Sequence, residues 1–370
     1  MDEFVLNIGK VFVKFSGKSE VFDSIRKEFS LYPLVDADPN LEFNFLNKSP
    51  VVEEDLVRSN NLLVSSNKVY VNDGHFFYVI SECSKKWKVD LYCFFKFPAS
   101  YYRKIIYSCK RFFHWNYLYH HENLAKNFIY NIFDYIFELF SLKKNLNQTF
   151  IHASSFDKNG QGILLAALGG VGKTTLMTKL VFEHNCKFLA DDLSIIDDRY
   201  IYFNPKFLQI YPYNLLNNPY LSKVLFRNRS LIDKVNWYLR SRLKGLKGVR
   251  RRMSPFDVFG SSNICYKSRF TKIFFMRYAN ASKISISNVS CDYIAELCSN
   301  VIVSELFPLA NILLNIYSSI QSCFIPSLAE FLDKVKKVYC SVFANKKCFL
   351  IDLPERYDLN YLCDLILETI

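Results

Sequence analysis

The chain has no C-x-x-C pair, no uninterrupted apolar run long enough to cross a bilayer and no internal repeat. Each absence removes a class of protein. The eleven cysteines are scattered from Cys83 to Cys363, and an odd, unpatterned set argues against both a disulfide framework and a zinc site. Reduced thiols used as small core residues are expected instead. The best membrane candidate, Phe128 to Phe140 (FIYNIFDYIFELF), is too short to span and carries Asp134 and Glu138. It reads as a buried amphipathic helix. The start, MDEFVLNIGK, opens with two acids and has no long apolar run, so it does not read as a signal peptide. A soluble, cytoplasmic protein is the expectation.

What is present is a core-forming composition. Of 370 residues, 50% are hydrophobic and 17% aromatic, which excludes a mainly disordered chain. At ~150 residues per domain, the length suits two domains or one large one. The formal charge of +12 concerns partners rather than fold. It suits phosphorylated metabolites, acidic proteins or an anionic membrane face; nucleic acid is not expected. Part of it is local, in Arg240, Arg242, Lys244, Lys247, Arg250, Arg251 and Arg252. That run reads first as a solvated basic loop and second as a peripheral membrane contact over 240–252.

The pattern changes once along the chain. Residues 1–148 read as a small α+β domain with a helical end. VLNIGKVFVKF (Val5 to Phe15), LEFNFL and KVDLYCFF (Lys88 to Phe95) have strand composition, and SEVFDSIRKEF reads as a helix. Asn72-Asp73-Gly74 marks a hairpin turn. Helical periodicity follows near Tyr101 to Trp115 and Glu122 to Leu142. The polar KKNLNQ, Lys143 to Gln148, separates this part from residues 149–370. There FIHASSF is a short strand, GILLAAL a strand apolar on both faces and KFLADDLSIID a second buried strand. Asn217 to Ser262 looks like an insertion carrying the basic run.

Between the two buried strands lies Ala167-Leu168-Gly169-Gly170-Val171-Gly172-Lys173-Thr174, followed by Thr175. This is a phosphate-binding loop, with Ala167 where the strict pattern has glycine. A triphosphate must be met by several backbone N–H groups at the positive end of a helix. Gly169, Gly170 and Gly172 remove the Cβ atoms that would block that approach. Lys173 supplies charge for the β- and γ-phosphates, and the Thr174 hydroxyl suits Mg²⁺. ATP and Mg²⁺ are therefore the expected cofactors, with Gly169, Gly170, Val171, Gly172, Lys173, Thr174 and Thr175 forming the nucleotide site. An N-K-x-D motif and an LSGGQ signature are both absent, which disfavours GTPases and transporters. Asp257-Val258-Phe259-Gly260 matches D-x-x-G but follows no strand.

Two further features narrow the chemistry. Asp191-Asp192 end an apolar strand eighteen residues after Lys173, and His152 lies fifteen residues before the loop's first residue. Parallel neighbouring strands would bring all three to one edge. Adjacent strand residues face opposite sides, so both aspartates face the site only if the strand is ending. One carboxylate, taken as Asp191, would hold the metal with Thr174; the other could accept a proton from an attacking hydroxyl.

FIHASSF, GILLAALGGVGKTTL and KFLADDLSIID, in that order and spacing, resemble the HPr kinase/phosphorylase family and its related small kinases. That family shares a nucleotide core with ATP-dependent phosphoenolpyruvate carboxykinase. The resemblance covers about fifty residues. It implies an α/β fold, a P-loop core with a mixed sheet, following the smaller α+β domain. It also implies a phosphotransferase in which His152, Asp191 and Asp192 act beside Lys173 and Thr174 on a protein serine or another hydroxyl. The family's further glutamate-bearing motif and its C-terminal segment for the reverse reaction are not located. A small-molecule acceptor, such as a surface-polysaccharide precursor, therefore stands beside a protein. The alternative is a non-catalytic ATP-binding switch. Acceptor and oligomeric state are not read from the sequence.

Overall fold

The computed structural model describes residues 2–48, 50–52, 56–59, 62–92, 105, 120–216, 218–227, 229–319 and 323–370. These fall into two compact units: one from residues within 1–112, 116–146 and 306–335, the other from 147–305 and 336–370. The fold is mixed α/β in both.

In the first unit, the segment expected as one strand from Val5 to Phe15 is a hairpin. Gly9, at φ 60°, turns the chain between β1 (Asp2–Ile8) and β2 (Val11–Gly17). Composition alone could not see that break, because the apolar residues continue on both sides of it. The Ser19 hydroxyl accepts from the Phe22 N–H and starts the helix Glu20–Phe29. That helix leads back to β3 (Leu41–Leu46), parallel to β2. There follow β4 (Val57–Ser59), β5 (Leu62–Val64), β6 (Lys68–Asn72), β7 (Phe77–Cys83) and β8 (Lys86–Tyr92). The Asn72-Asp73-Gly74 turn joins β6 to β7, and the sheet order is β1-β2-β3-β8-β7-β6-β5-β4. Of the Lys88–Phe95 strand, residues 93–95 lie outside the described residues, as does the expected helix at Tyr101 to Trp115.

Phe15, Phe29, Phe43 and Phe133 form an aromatic centre, with Phe15 stacked 5.4 Å from Phe43 and tilted against Phe29 at 4.7 Å. Phe133 comes from the Phe128–Phe140 stretch. It is not a one-sided amphipathic helix. A π-helical segment, Ile129–Phe133, joins the helices His120–Phe128 and Asp134–Lys143, and Asp134 to Leu142 are all buried. An apolar run enclosed on every side needs no polar face. The segment Leu306–Val335, read from its sequence position as part of the second domain, belongs to this unit. Its helix Phe307–Ser319 packs on β4 and β5, and Phe324 meets Trp87 edge-on at 5.3 Å. Helical periodicity shows which face is apolar, not which sheet it will cover.

The second unit contains β9 (Gln148–Ile151), β10 (Ala153–Lys158), β11 (Gln161–Ala167), β12 (Lys187–Ala190), β13 (Ser194–Asp197), β14 (Tyr200–Tyr202), β15 (Leu208–Ile210), β16 (Arg251–Met253), β17 (Lys267–Tyr278), β18 (Ser285–Asn288) and β19 (Lys347–Leu353). The main sheet runs β12-β10-β11-β17. The first residues of β17 then pair with β14, continuing to β13 and β9, while the rest pairs with β19 and then β18. β11, β17 and β19 are mutually parallel. Their central residues are apolar because the sheet is covered there: β11 is buried from Gly162 to Ala167, β17 from Ile273 to Met276 and β19 from Cys348 to Ile351. β15 and β16 form a separate ribbon. Among the described residues no single helix is long and apolar enough to cross a membrane; one bent pair, Cys291–Glu305 with Phe307–Ser318, passes by length and composition together. Every described cysteine is free.

Two expected strands prove to be broken, and both breaks matter. FIHASSF divides at His152 into β9 and β10, which sit in different parts of the sheet. KFLADDLSIID divides at Asp191-Asp192 into β12 and β13. The expected parallel neighbours are also corrected: β10 runs antiparallel to both β11 and β12. Its beginning therefore lies beside their ends, with Ala153 opposite Ala166 and Ser155 opposite Ala190.

Candidate functional site

The loop leaves β11 at Ala167 and enters the helix Lys173–Glu183 at Gly172. Gly170 and Gly172 adopt φ of 86° and 104°, a region that L side chains enter only at a cost. A Cβ on Gly169 or Gly170 would meet no protein atom within 4 Å, whereas one on Gly172 would lie 3.0 Å from the Tyr357 hydroxyl. The glycines thus line an open cradle at the positive end of a helix. Val171 is buried behind it, and its carbonyl accepts from Tyr357 Oη at 3.1 Å.

Lys173 is almost enclosed. Its ammonium donates to the carbonyls of Ala167 and Leu168 at 2.9 and 3.2 Å. Burial lowers its pKa to about 8, against the pull of Asp192, Asp191 and Glu305. The Thr174 hydroxyl reaches both carboxylate oxygens of Asp191, at 3.0 and 2.9 Å, and the Ser154 hydroxyl donates to the same carboxylate. Asp191 is buried. Burial pushes its pKa up, and the proximity of Asp192 adds to that, while the Ser154 and Thr174 hydrogen bonds oppose it.

Asp192 occupies the break between β12 and β13. Leu193 N–H bonds back to the Asp191 carbonyl at 2.9 Å across Asp192, whose φ is 70°. This tight three-residue turn is a strained conformation for a non-glycine residue. Both acids remain at this strand end. Asp192 is close enough to His152, Lys173 and Glu305 to bias the ionisation of each. His152 Nδ1 lies 3.4 Å from Glu305 Oε1. Burial first, then the charge of Lys173, lowers the imidazole pKa to about 4, with Asp192 opposing. The ring is therefore neutral near pH 7. Burial, then Asp192, raises the pKa of Glu305.

Lys173, Thr174, Asp191, Asp192 and His152 thus gather at one sheet edge. Thr175 turns elsewhere, its hydroxyl accepting from Asn214 Nδ2 at 2.8 Å, while Asn218 Nδ2 holds Thr178 at 3.0 Å. These two asparagines clamp the first turns of the helix. The residues after Asn214 also form one wall of a cleft of about 400 Å³ beside Tyr357, lined by Lys179, Leu216, Pro219 and Asn360. Of the arginines flanking the RFTKIFFMR strand, Arg277 is tied to Asp352 at 2.6 Å, and Arg269 pairs beside Gln161, far from the loop end of β11.

Four contributors were not foreseen. Ser154 was visible as a hydroxyl beside His152 in an apolar strand. Glu305, Tyr357 and Asn214 lie in segments with no motif at all. Among the described residues no group of three or more His, Cys, Asp or Glu side chains is arranged to hold a metal. Thr174 and Asp191 do offer hard oxygen donors beside the cradle, a set suited to Mg²⁺ that also draws on phosphate oxygens.

No protein-family model and no curated protein matches the sequence. Among solved structures, the chain is similar to the Hpr(Ser) kinase/phosphatase from Coxiella burnetii at 8% identity and a TM-score of 0.21, over 38% of this chain and 72% of that one. At that distance, function has to be read from the side chains.

Proposed function

We propose that the protein is an ATP-dependent phosphotransferase that moves a γ-phosphoryl group to the hydroxyl of a protein serine or a small molecule. One observation carries the reading: two adjacent acids at a strand end are given different environments beside the phosphate loop. Asp191 is fixed by Thr174 and Ser154, whereas Asp192 holds the tight turn and lies close enough to Lys173, His152 and Glu305 to bias their ionisation. Separating two carboxylates in this way assigns them separate tasks.

The cradle N–H groups and Lys173 bind the phosphates, the ammonium exchanging the Ala167 and Leu168 carbonyls for phosphate oxygens. Thr174 and Asp191 would hold Mg²⁺, which supplies charge neutralisation on the transferred group when bound. Asp192 accepts the proton of the acceptor hydroxyl as its oxygen attacks phosphorus and the bond to ADP breaks. His152, neutral and held near Glu305, positions the acceptor by hydrogen bonding. The cleft beside Tyr357 is of a size to receive the nucleoside.

The test uses γ-labelled ATP with fractionated cell extract as the source of acceptor. Lys173→Ala is expected to lose ATP binding. Asp192→Asn is expected to keep it and to lose transfer by roughly 10²- to 10⁴-fold. ATP binding by the unaltered protein without any labelled product from any fraction would instead make it a nucleotide-gated switch.

A further inference from the structure

The basic segment is a solvated loop only in part: residues 245–250 lie between the helix Leu231–Lys244 and the strand Arg251–Met253. From Asn217 to Met253 the sequence holds eleven Lys and Arg against a single acid, Asp233, so most of the chain's excess charge resides here. Its centre is the helix Leu231–Lys244, capped by Ser230. One face is anchored: Trp237 and Asp233 are buried, and Asp233 pairs with Arg251 at 2.6 Å. Opposite that face, Leu231, Ile232, Val235, Tyr238, Leu239 and Leu243 are 47 to 84% exposed. Their spacing places them on one arc of the helix, and Leu246 continues the patch beyond its end. Arg242 sits among them, where a long side chain can lay its stem on apolar surface and lift its charge.

We infer that this helix docks the protein, lying flat, on an anionic phospholipid surface. Three features favour that occupant. The apolar arc lies on the outside of a single helix with basic residues about it, the arrangement of an interfacial helix. The charge is complementary to anionic headgroups. A second copy applied to the same face would oppose one strongly basic segment with another. The anchored side gives the helix a fixed presentation, because Arg251 also lies over the Trp237 ring at 5.2 Å and donates to the Leu225 carbonyl. This surface is separate from the phosphate loop, and its failure would leave the kinase reading standing.

Flotation of the full chain with vesicles of phosphatidylcholine alone, or of phosphatidylcholine with phosphatidylglycerol, tests the inference. Binding to the anionic vesicles only is expected. Leu239→Glu with Leu243→Glu should weaken it by about tenfold or more, as should Leu239→Ser with Leu243→Ser, which adds no charge. ATP affinity and the thermal midpoint should stay unchanged, since these side chains are exposed. The inference is overturned if the anionic vesicles are not bound, or if both double variants bind as the parent does. It is equally overturned if light scattering finds a dimer that these variants dissociate, because a second copy then covers the face.

Discussion

Two of the places where the second unit buries charge are built differently. Around Trp237, Arg251 and Asp233 meet at 2.6 Å, the guanidinium also lies over the rings of Trp237 and Phe226, and one of its N–H groups reaches the Leu225 carbonyl. The pair is closed upon itself. At the phosphate loop, among the described residues, the Lys173 ammonium donates to two backbone carbonyls of its own loop, beside acids that are close but not bonded to it. Both are buried ions, yet one is hydrogen-bonded to a carboxylate and the other to neutral carbonyls.

The largest expected effect breaks the closed cluster. Arg251→Ala leaves Asp233 buried without its closest cation and should cost about 3–5 kcal/mol of stability, read from urea denaturation. Replacing both partners, as Arg251→Met with Asp233→Leu, should restore most of that loss. Lys173→Ala should do the opposite, abolishing ATP binding while lowering stability little. If Lys173→Ala unfolds the protein as badly as Arg251→Ala, the distinction between the clusters fails.

A second effect concerns His152. Its imidazole takes a proton near 6.5 when unfolded but only near about 4 when folded. Between those values the unfolded chain binds more protons, so stability is fully present above pH 6.5 and is lost as the pH falls toward 4. The loss should approach about 3 kcal/mol. Asp191 and Glu305, whose pKa values are raised, act in the opposite sense, so the measurement is the difference between the parent and His152→Gln across that range. A constant difference would mean that the ring is not buried neutral.

The loop, its strand and its helix were legible because they rest on local rules: a glycine pattern, an apolar run and a helix start. His152, Asp191 and Asp192 were legible as residues, but the reason they meet was not. Their meeting depends on β10 running antiparallel between β11 and β12, and strand direction has no local signature when composition is uniformly apolar. Glu305 was invisible for a related reason, since it reaches the site from the end of a helix more than a hundred residues away. The basic run was seen as charge, whereas the apolar arc on Leu231–Lys244 followed a helical period that the charges overshadowed. Leu306–Val335 groups with the first unit although it lies far along the sequence, because a helix does not announce which sheet it packs against.

The smallest effect tests whether strain belongs to the open cluster. Asp192 holds φ at 70° and stands beside a second carboxylate, two local costs. Asp192→Gly relieves both, and the chain should gain about 1 kcal/mol, seen as a raised thermal midpoint. Phosphoryl transfer should disappear in the same variant while ATP still binds. In the closed cluster no single substitution should stabilise, since each removes a partner. A gain in stability accompanied by loss of transfer would identify Asp192 as a residue kept for chemistry at the expense of the fold. A loss of stability would mean that the tight turn at the strand end needs its carboxylate, and that Asp192 belongs with Arg251 and Asp233 as part of the framework.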